Sequence, residues 1–538
     1  MWFVYFVVKK GVAVVFPEKL ASARRGEAAH RLTWFMVVGL AGLAATAPRL
    51  GAQDKAAPPA ALPDFEEDWD VVYIGESRVG FSRSSVSRTK RDGRERVATS
   101  SEMTLAISRL GQRTNIKTSS QTEETPEGDL IEFRFELLNP PAAPVRRFGR
   151  VEDGKLILET EMAGKKTTTS AVWDASVKSP GYQSRLFREQ PLKAGEKRSF
   201  KVYSPELPGV ATVSIAARDL ESVKLLDGKS QKLQGMAITQ SILPGLASQA
   251  WVDGAGREQK TSTPMLGLAL VTYRVSKPEA LKTLSSPEVD LAVASLVKTA
   301  AIDRPQETSR IVYRITIPGE DPAGFLPASD RQKIARVGPH VVDLTVARVG
   351  TPDAATARDS QDRPAQEFLE PNSYIQSDDD LVRQDAKAAT GDESNPWKAA
   401  QLMEKWVFEN LKKKNFSTLL ASAAEVAKDL SGDCTEHAVL LAAMARARGI
   451  GSRVAVGLVY APSLSAFAGH MWTEVEIGGA WVPLDATQGK GGVGADHIKF
   501  ADSSFADGGE NTALTPFLPL VTVLGKLKIE VREVHHDK

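Results

Sequence analysis

The sequence predicts an α+β protein in two unlike parts, a β-rich antiparallel N-terminal region followed by a C-terminal α+β domain. Three observations predict it. From Trp69 to about Lys277, short segments alternate polar and apolar residues with period two and are broken every ten residues or so by Gly, Asn, Asp and Pro. From Asn395 the spacing changes to helical, with capping signatures at each start. After these helices, HMWTEVEI and AWVPLDAT flank the pair Gly478-Gly479 and read as a β-hairpin. Bulk composition agrees, since 42% hydrophobic and 25% charged residues over 538 positions describe ordinary globular domains, about three or four of them. With 68 Lys+Arg against 67 Asp+Glu, no global field favours nucleic acid, and no nucleic-acid partner is expected. The run Lys412, Lys413, Lys414 reads as a solvated helix end.

Residues 1–52 read as an export signal or membrane anchor. Arg24, Arg25 and Arg31 precede the uncharged run Leu32 to Ala47, and a small-residue cleavage site follows near Ala52. A cleaved signal is the first choice and an uncleaved tether the second, with a periplasmic or extracellular location in either case. The apolar Met1 to Phe16 ahead of the basic flank is unusual for a signal and fits a start codon placed too early. Residues 53–63, QDKAAPPAALP, are an Ala/Pro linker. Residues 64–277 form the antiparallel β-rich domain, with WDVVYIG, LIEFRFELL, KLILETEM and KRSFKVYS among its strands. It holds no His, Cys, Asp and Glu cluster at metal-ligand spacing, so a scaffold or recognition surface is expected there. Residues 278–370 read as a helical connector, Pro278 to Ala301, and a second β segment carrying RIVYRITIP and HVVDLTVARV.

Residues 371–538 form the last domain, with its core at 395–487. Asp378, Asp379 and Asp380 do not match an EF-hand loop and read as the opening of a helix. Asn395 caps the next helix with Pro396 at its first position, and Ala399, Leu402, Met403, Trp406, Val407 and Leu411 follow one face. Ser422 to Glu425, SAAE, is a capping box. GKGGVG, Gly489 to Gly494, lacks the Lys-Ser/Thr ending of a phosphate loop and reads as a flexible loop. From Leu518, LPLVTVLGKLKIEVREV supplies two final strands, candidates for the same sheet as the hairpin.

Cys434 is the only cysteine, so no intrachain disulfide exists. Asp433-Cys434-Thr435-Glu436 is a capping box that makes Cys434 the first residue of a helix. There the helix dipole and unpaired N–H groups are expected to lower the thiol pKa and to receive a developing oxyanion. A nucleophilic thiolate needs a base, and the base an orienting group. With a two-residue loop at 478 and 479, paired hairpin positions sum to 957, which places His470 and Asp485 on one face. His437, three residues after Cys434, has nothing to orient it and reads as a satisfied polar contact. His340 and His497 show no partner pattern, and Trp472 either lines the cleft or packs beneath the hairpin.

The segments GDCTEHAVLLAAMARARGI, GHMWTEV and WVPLDAT, in this order and spacing, resemble the transglutaminase-like superfamily of papain-like cysteine enzymes. The resemblance covers about Asn395 to Thr487. Upstream, the β-rich region is more distantly similar to that of bacterial envelope members. The resemblance implies Cys434 as nucleophile, His470 as general base and then acid, and Asp485 as the group that holds the imidazole. It implies acyl transfer or hydrolysis at an amide through a thioester, hydrolysis slightly favoured, on a protein or peptide substrate. Phe416 falls where relatives place an aromatic residue near the cleft. No cofactor and no metal is expected. The alternative is an envelope scaffold that uses the domain as an interaction module.

Overall fold

The computed structural model describes residues 64–536 apart from residue 244 and residues 284–288, 351–363 and 508–514, together with Thr46–Ala47. The expected export segment, save that pair, and the Ala/Pro linker lie outside the described residues. No described helix is long and apolar enough to cross a membrane.

Period-two patterning produces one large sheet. It begins with β1 (Phe65–Ile74), β2 (Ser77–Arg91), β3 (Arg94–Arg109) and β4 (Gln112–Glu124) and runs through ten further long strands to Leu268–Val275. Long strands pair antiparallel with their neighbours, and Leu268–Val275 pairs with β1, so the last strands of the region lie beside the first. The strands pack closely: a Cβ at Gly80 would lie 2.0 Å from the Thr104 carbonyl oxygen, which leaves only glycine at that position of β2. On one face, Met103, Leu105 and Ile107 of β3 are buried in the main core. Nearby, Ser82, Thr99, Ser101, Thr122, Thr261 and Thr272 line a polar cavity of about 150 Å³.

A second sheet, in the order β6-β7-β5-β12, combines β5 (Thr308–Thr316), β6 (Gln332–Gly338) and β7 (Val341–Ala347) with the C-terminal strand β12 (Lys528–His536). Two expectations need correction. Among the described residues, the connector carries a single helical turn at Lys277–Ala280 and a 3-10 turn at Val293–Ser295 in place of a long helix, and Leu291, Ala294 and Val297 are drawn individually into the core. Leu518–Val523, expected as a strand, is the short helix α5, and the final strand joins the second sheet. Pro516 and Pro519 pre-set helical φ and remove ladder donors, which resolves a short apolar run that fits either structure.

The helices of the last domain are α1 (Asp380–Thr390), α2 (Pro396–Asn410), α3 (Ala423–Asp429) and α4 (Cys434–Ala447). Asp379 caps α1, Asn395 caps α2 with Pro396 following, and Ser422 and Glu425 make the capping box of α3. On α2, Trp397, Ala400 and Glu404 join Ala399, Met403 and Val407 inside, while Leu402 is exposed. The third sheet contains β8 (Ser452–Ala461) between β9 (Ala466–Ile477) and β11 (His497–Ser503), with β10 (Ala480–Leu484) on the far edge of β9. Helix α4 is buried from Thr435 to Arg446 and packs on β9, with the Thr473 hydroxyl donating 2.9 Å to the Ala438 carbonyl. A single core runs from Val72 and Leu105 of the β-rich region through the second sheet to Leu441 and Met471. The boundary near residue 277 is therefore a change of pattern without a break in packing.

Candidate active site

The start of α4 is built from its own sequence. Asp433 Oδ1 accepts from the Thr435 N–H at 2.9 Å, and Glu436 Oε2 accepts from the Asp433 N–H at 2.8 Å, so both halves of the capping box form. A Cβ at Gly432 would stand 2.3 Å from the Glu436 Cβ, so the residue before the cap must be glycine. Cys434 is the first helical residue and is partly buried. Its sulfur accepts from the Met471 N–H of β9.

The β9–β10 hairpin turns at Gly478 and Gly479 with Ile477 opposite Ala480 and Thr473 opposite Leu484, so pairs sum to 957. That register puts His470 Nε2 3.0 Å from Asp485 Oδ2. Asp485 is held from three further directions. Its Oδ1 accepts from the Thr487 N–H at 2.9 Å and hydroxyl at 2.7 Å, and its own N–H donates 3.1 Å to Glu404 of α2. Burial would raise its pKa, but the His470 charge and the bonds from both histidines hold it well below the usual carboxylate range.

The second of those histidines is His497. Its Nε2 lies 3.2 Å from Asp485 Oδ2, and its Nδ1 lies 2.8 Å from Asp496 Oδ1. Burial lowers its pKa, yet the two carboxylates outweigh burial and raise it. Spacing alone gave no sign of this residue, because it sits on β11 and reaches Asp485 through the β8-centred sheet. The neighbouring DATQ…DH pattern, an acid beside a histidine shortly after the hairpin, was the only available cue. Ligand atoms of His470, Asp485 and His497 lie within 4.8 Å of one another, a set that two N–H···O bonds to one carboxylate also explains. The second sheet fixes the segment leading to His497, since the Tyr313 hydroxyl donates 2.9 Å to the Ala495 carbonyl.

Cys434 and His470 line one cavity of about 40 Å³, walled by Val456 and Ala468 and closed by Phe517 and Leu520 from the C-terminal segment. Trp472 is not in that wall; it is buried, with its ring 6.3 Å from His470 and 5.3 Å from His497. His437 faces inward, Nδ1 2.5 Å from the Asp433 carbonyl and Nε2 3.3 Å from Lys414. Lys414 is thus half-buried against the site, unlike exposed Lys412 and Lys413, which corrects the expectation of a solvated run. Phe416 is buried with its backbone tied to Gln112 and Thr114 of β4.

The thiol departs from expectation. Burial first, then the Asp433 and Glu436 carboxylates, push Cys434 well above its usual pKa, against the Met471 N–H and the Arg109 guanidinium. The same capping acids that start the helix offset its dipole at the sulfur. The β-rich region also enters the site: Arg109, at the end of β3, forms an ion pair with Asp433 and lines the cavity. The reading of this region as a scaffold or recognition surface placed none of its residues at the site, because a β-strand arginine far upstream carries no signal of it.

Residues 383–486 match the family model described as Transglutaminase-like superfamily. No curated protein matches the chain. Among solved structures, it is similar to a candidate cysteine protease from Cytophaga hutchinsonii, at 16% identity over 43% of this chain and 87% of that one, TM-score 0.26. It is similar to a β-barrel-like protein of a domain of unknown function from Brucella abortus, at 12% identity over 39% and 96%, TM-score 0.29. The periplasmic domain of TgpA from Pseudomonas aeruginosa, bound to ethylmercury, matches at 15% identity over 34% and 73%, TM-score 0.25. Scores of this size carry no argument about function. With the helix start at Cys434, the hairpin and the family match on the same segment, residues 383–486 are a transglutaminase-like domain that follows a large antiparallel β-rich region.

Proposed function

We propose that the protein is an exported cysteine enzyme that cleaves or transfers acyl groups at amide bonds of a protein or peptide, with hydrolysis favoured over cross-linking. The observation that carries this reading is the placement of Cys434 and His470 in one cavity with His470 bonded to Asp485 at 3.0 Å. Because burial and the capping acids keep the resting thiol protonated, His470 acts as a base during attack. It takes the Cys434 proton as sulfur bonds to the carbonyl carbon, and Asp485 stabilises the imidazolium that forms. The oxyanion is received at the start of α4, where the Cys434 N–H has no partner within the helix. His470 then returns the proton to the leaving amine, leaving a thioester. Water, deprotonated by His470, adds to the thioester, and the carboxylic acid leaves as the thiol is reprotonated.

Iodoacetamide labelling of Cys434 across pH, in the protein and in His470→Ala, tests this. The expected result is a labelling limb at neutral pH that depends on His470 taking the thiol proton and disappears in the variant, leaving a thiol that reacts only in alkaline solution. Equal profiles in the two proteins sink the proposal.

The second reading, an envelope scaffold built on this domain, is favoured by the small cavity, which admits no polypeptide while Phe517 and Leu520 stand over it. Under that reading Cys434→Ala restores any envelope defect of a deletion strain as well as the unaltered gene does.

A further inference from the structure

The Arg109 side chain is 1% exposed, and its guanidinium donates to the Asp433 carboxylate and to the Thr418 carbonyl. It arrives on the tip of the β3–β4 hairpin, where Leu110 and Gly111 turn with positive φ. The hairpin and its neighbour clamp the segment before α3: Thr114 donates 3.1 Å to the Phe416 carbonyl, Gln112 accepts 2.8 Å from the Phe416 N–H, and Asn139 accepts 2.6 Å from the Leu419 N–H. The clamp needs no charge, and a buried guanidinium is an expensive way to fill space that a methionine would fill. What the charge meets is the active-site acid: Asp433 Oδ1 is used by the cap, and Asp433 Oδ2 by Arg109.

We propose that Arg109 is a positioning residue of the Cys434 site, by which the β-rich region neutralises the carboxylate beside the nucleophile and fixes the start of its helix. The transglutaminase-like unit is then complete only with the β-rich region seated on it. This rests on the proposed enzymatic role of Cys434. The charged groups around the sulfur are few. Asp433 and Glu436 stand on its own helix, Lys414 on the preceding segment, Arg109 on β3, and His470 on β9 with Asp485 behind it. The connector, β8 and α5 present only uncharged residues to the cavity, such as Ser295, Val456 and Leu520. Removing Arg109 takes away the cation paired with Asp433 and disfavours the thiolate; removing Asp433's charge takes away an anion beside the sulfur and favours it.

The test is the pH profile of iodoacetamide labelling in full-length Arg109→Met, Asp433→Asn, Asn139→Ala and the Arg109→Met/Asp433→Asn double variant. Arg109→Met is expected to label about tenfold more slowly at neutral pH, a one-unit upward move of the limb. Asp433→Asn, whose amide oxygen keeps the cap, moves the limb down, and the double variant lies near the unaltered protein. Asn139→Ala lowers the urea midpoint by loosening the clamp and leaves the limb in place. A folded Arg109→Met with an unmoved limb overturns the proposal, as does an equal move in Asn139→Ala. Should Arg109→Met not fold, an unmoved or raised limb in Asp433→Asn overturns it. A profile that depends on His470 but on neither charge removes this inference alone, whereas one independent of His470 removes the enzymatic reading beneath it.

Discussion

His497 and His470 hold the same oxygen of Asp485, at 3.2 and 3.0 Å. With Asp496 on its other nitrogen, His497 is buried with both ring positions facing carboxylates, which raises its pKa and favours the ring that donates from both nitrogens and carries a positive charge. His497→Ala leaves Asp485 and Asp496 buried with one cation fewer. The variant should lose about 3–5 kcal/mol of stability, the usual cost of breaking a buried pair from one side, read from urea unfolding at pH 7. An unchanged midpoint would show that His497 is neutral and that its contacts are incidental.

Gly432 stands against the side chain that closes the cap of α4. A methyl group there meets the Glu436 side chain at 2.3 Å, and Glu436 cannot yield without releasing the Asp433 N–H and the Ala421 N–H it accepts from. Gly432→Ala is expected to cost about 1–3 kcal/mol and to lower the labelling rate of Cys434 together with stability. Differential scanning calorimetry and labelling at pH 7 check both; a variant as stable as the parent would contradict the close approach.

The placement of Cys434, His470 and Asp485 was more legible in the sequence than the residues around them. Cys434 at a capped helix start follows from local rules, because a capping box needs only four consecutive residues. The hairpin register follows from a two-glycine turn, which fixes the pairing of every residue on either side. Arg109 and His497 were invisible for the opposite reason. Arg109 lies 324 residues from its partner and His497 sits on a strand three places from β10 in the sheet, and no periodicity encodes which strands become neighbours. The thiol's raised pKa was missed because burial and acid proximity depend on that same tertiary arrangement. Leu518–Val523 fits a strand or a helix by pattern alone, because a short, mostly apolar run is ambiguous until its neighbours decide.

His437 predicts an acid weakness. Burial first, then the Lys414 charge, push its pKa from 6.5 down to about 3, so the folded protein refuses a proton that the unfolded chain accepts. A group lowered on folding lends its full stability above the unfolded value and loses it as pH falls toward the folded one. The window here runs from about pH 6.5 to about pH 3, with a slope of up to about 1.4 kcal/mol per pH unit. Between pH 6.5 and 4.5 the protein should lose about 2 kcal/mol more than His437→Gln does, measured by urea unfolding at the two pH values. Parallel losses in both proteins would mean that the imidazole is reached by water and protonates without unfolding.

Access to the cavity is set by the C-terminal segment. Phe517 is 5% exposed and forms part of the wall over Cys434 and His470, ahead of the short helix α5. Truncating it removes a buried aromatic at a cost of about 3–5 kcal/mol, so Phe517→Ala should unfold at markedly lower urea concentration. The same truncation widens the opening above the sulfur. Labelling by a bulky maleimide should therefore accelerate more than labelling by iodoacetamide, because the small reagent already fits a cavity of about 40 Å³ better than the large one. The ratio of the two rates read together with the pH of the limb separates access from local unfolding. Local unfolding moves both the ratio and the limb toward those of a free thiol, whereas a widened opening changes the ratio without altering the pH at which the limb stands.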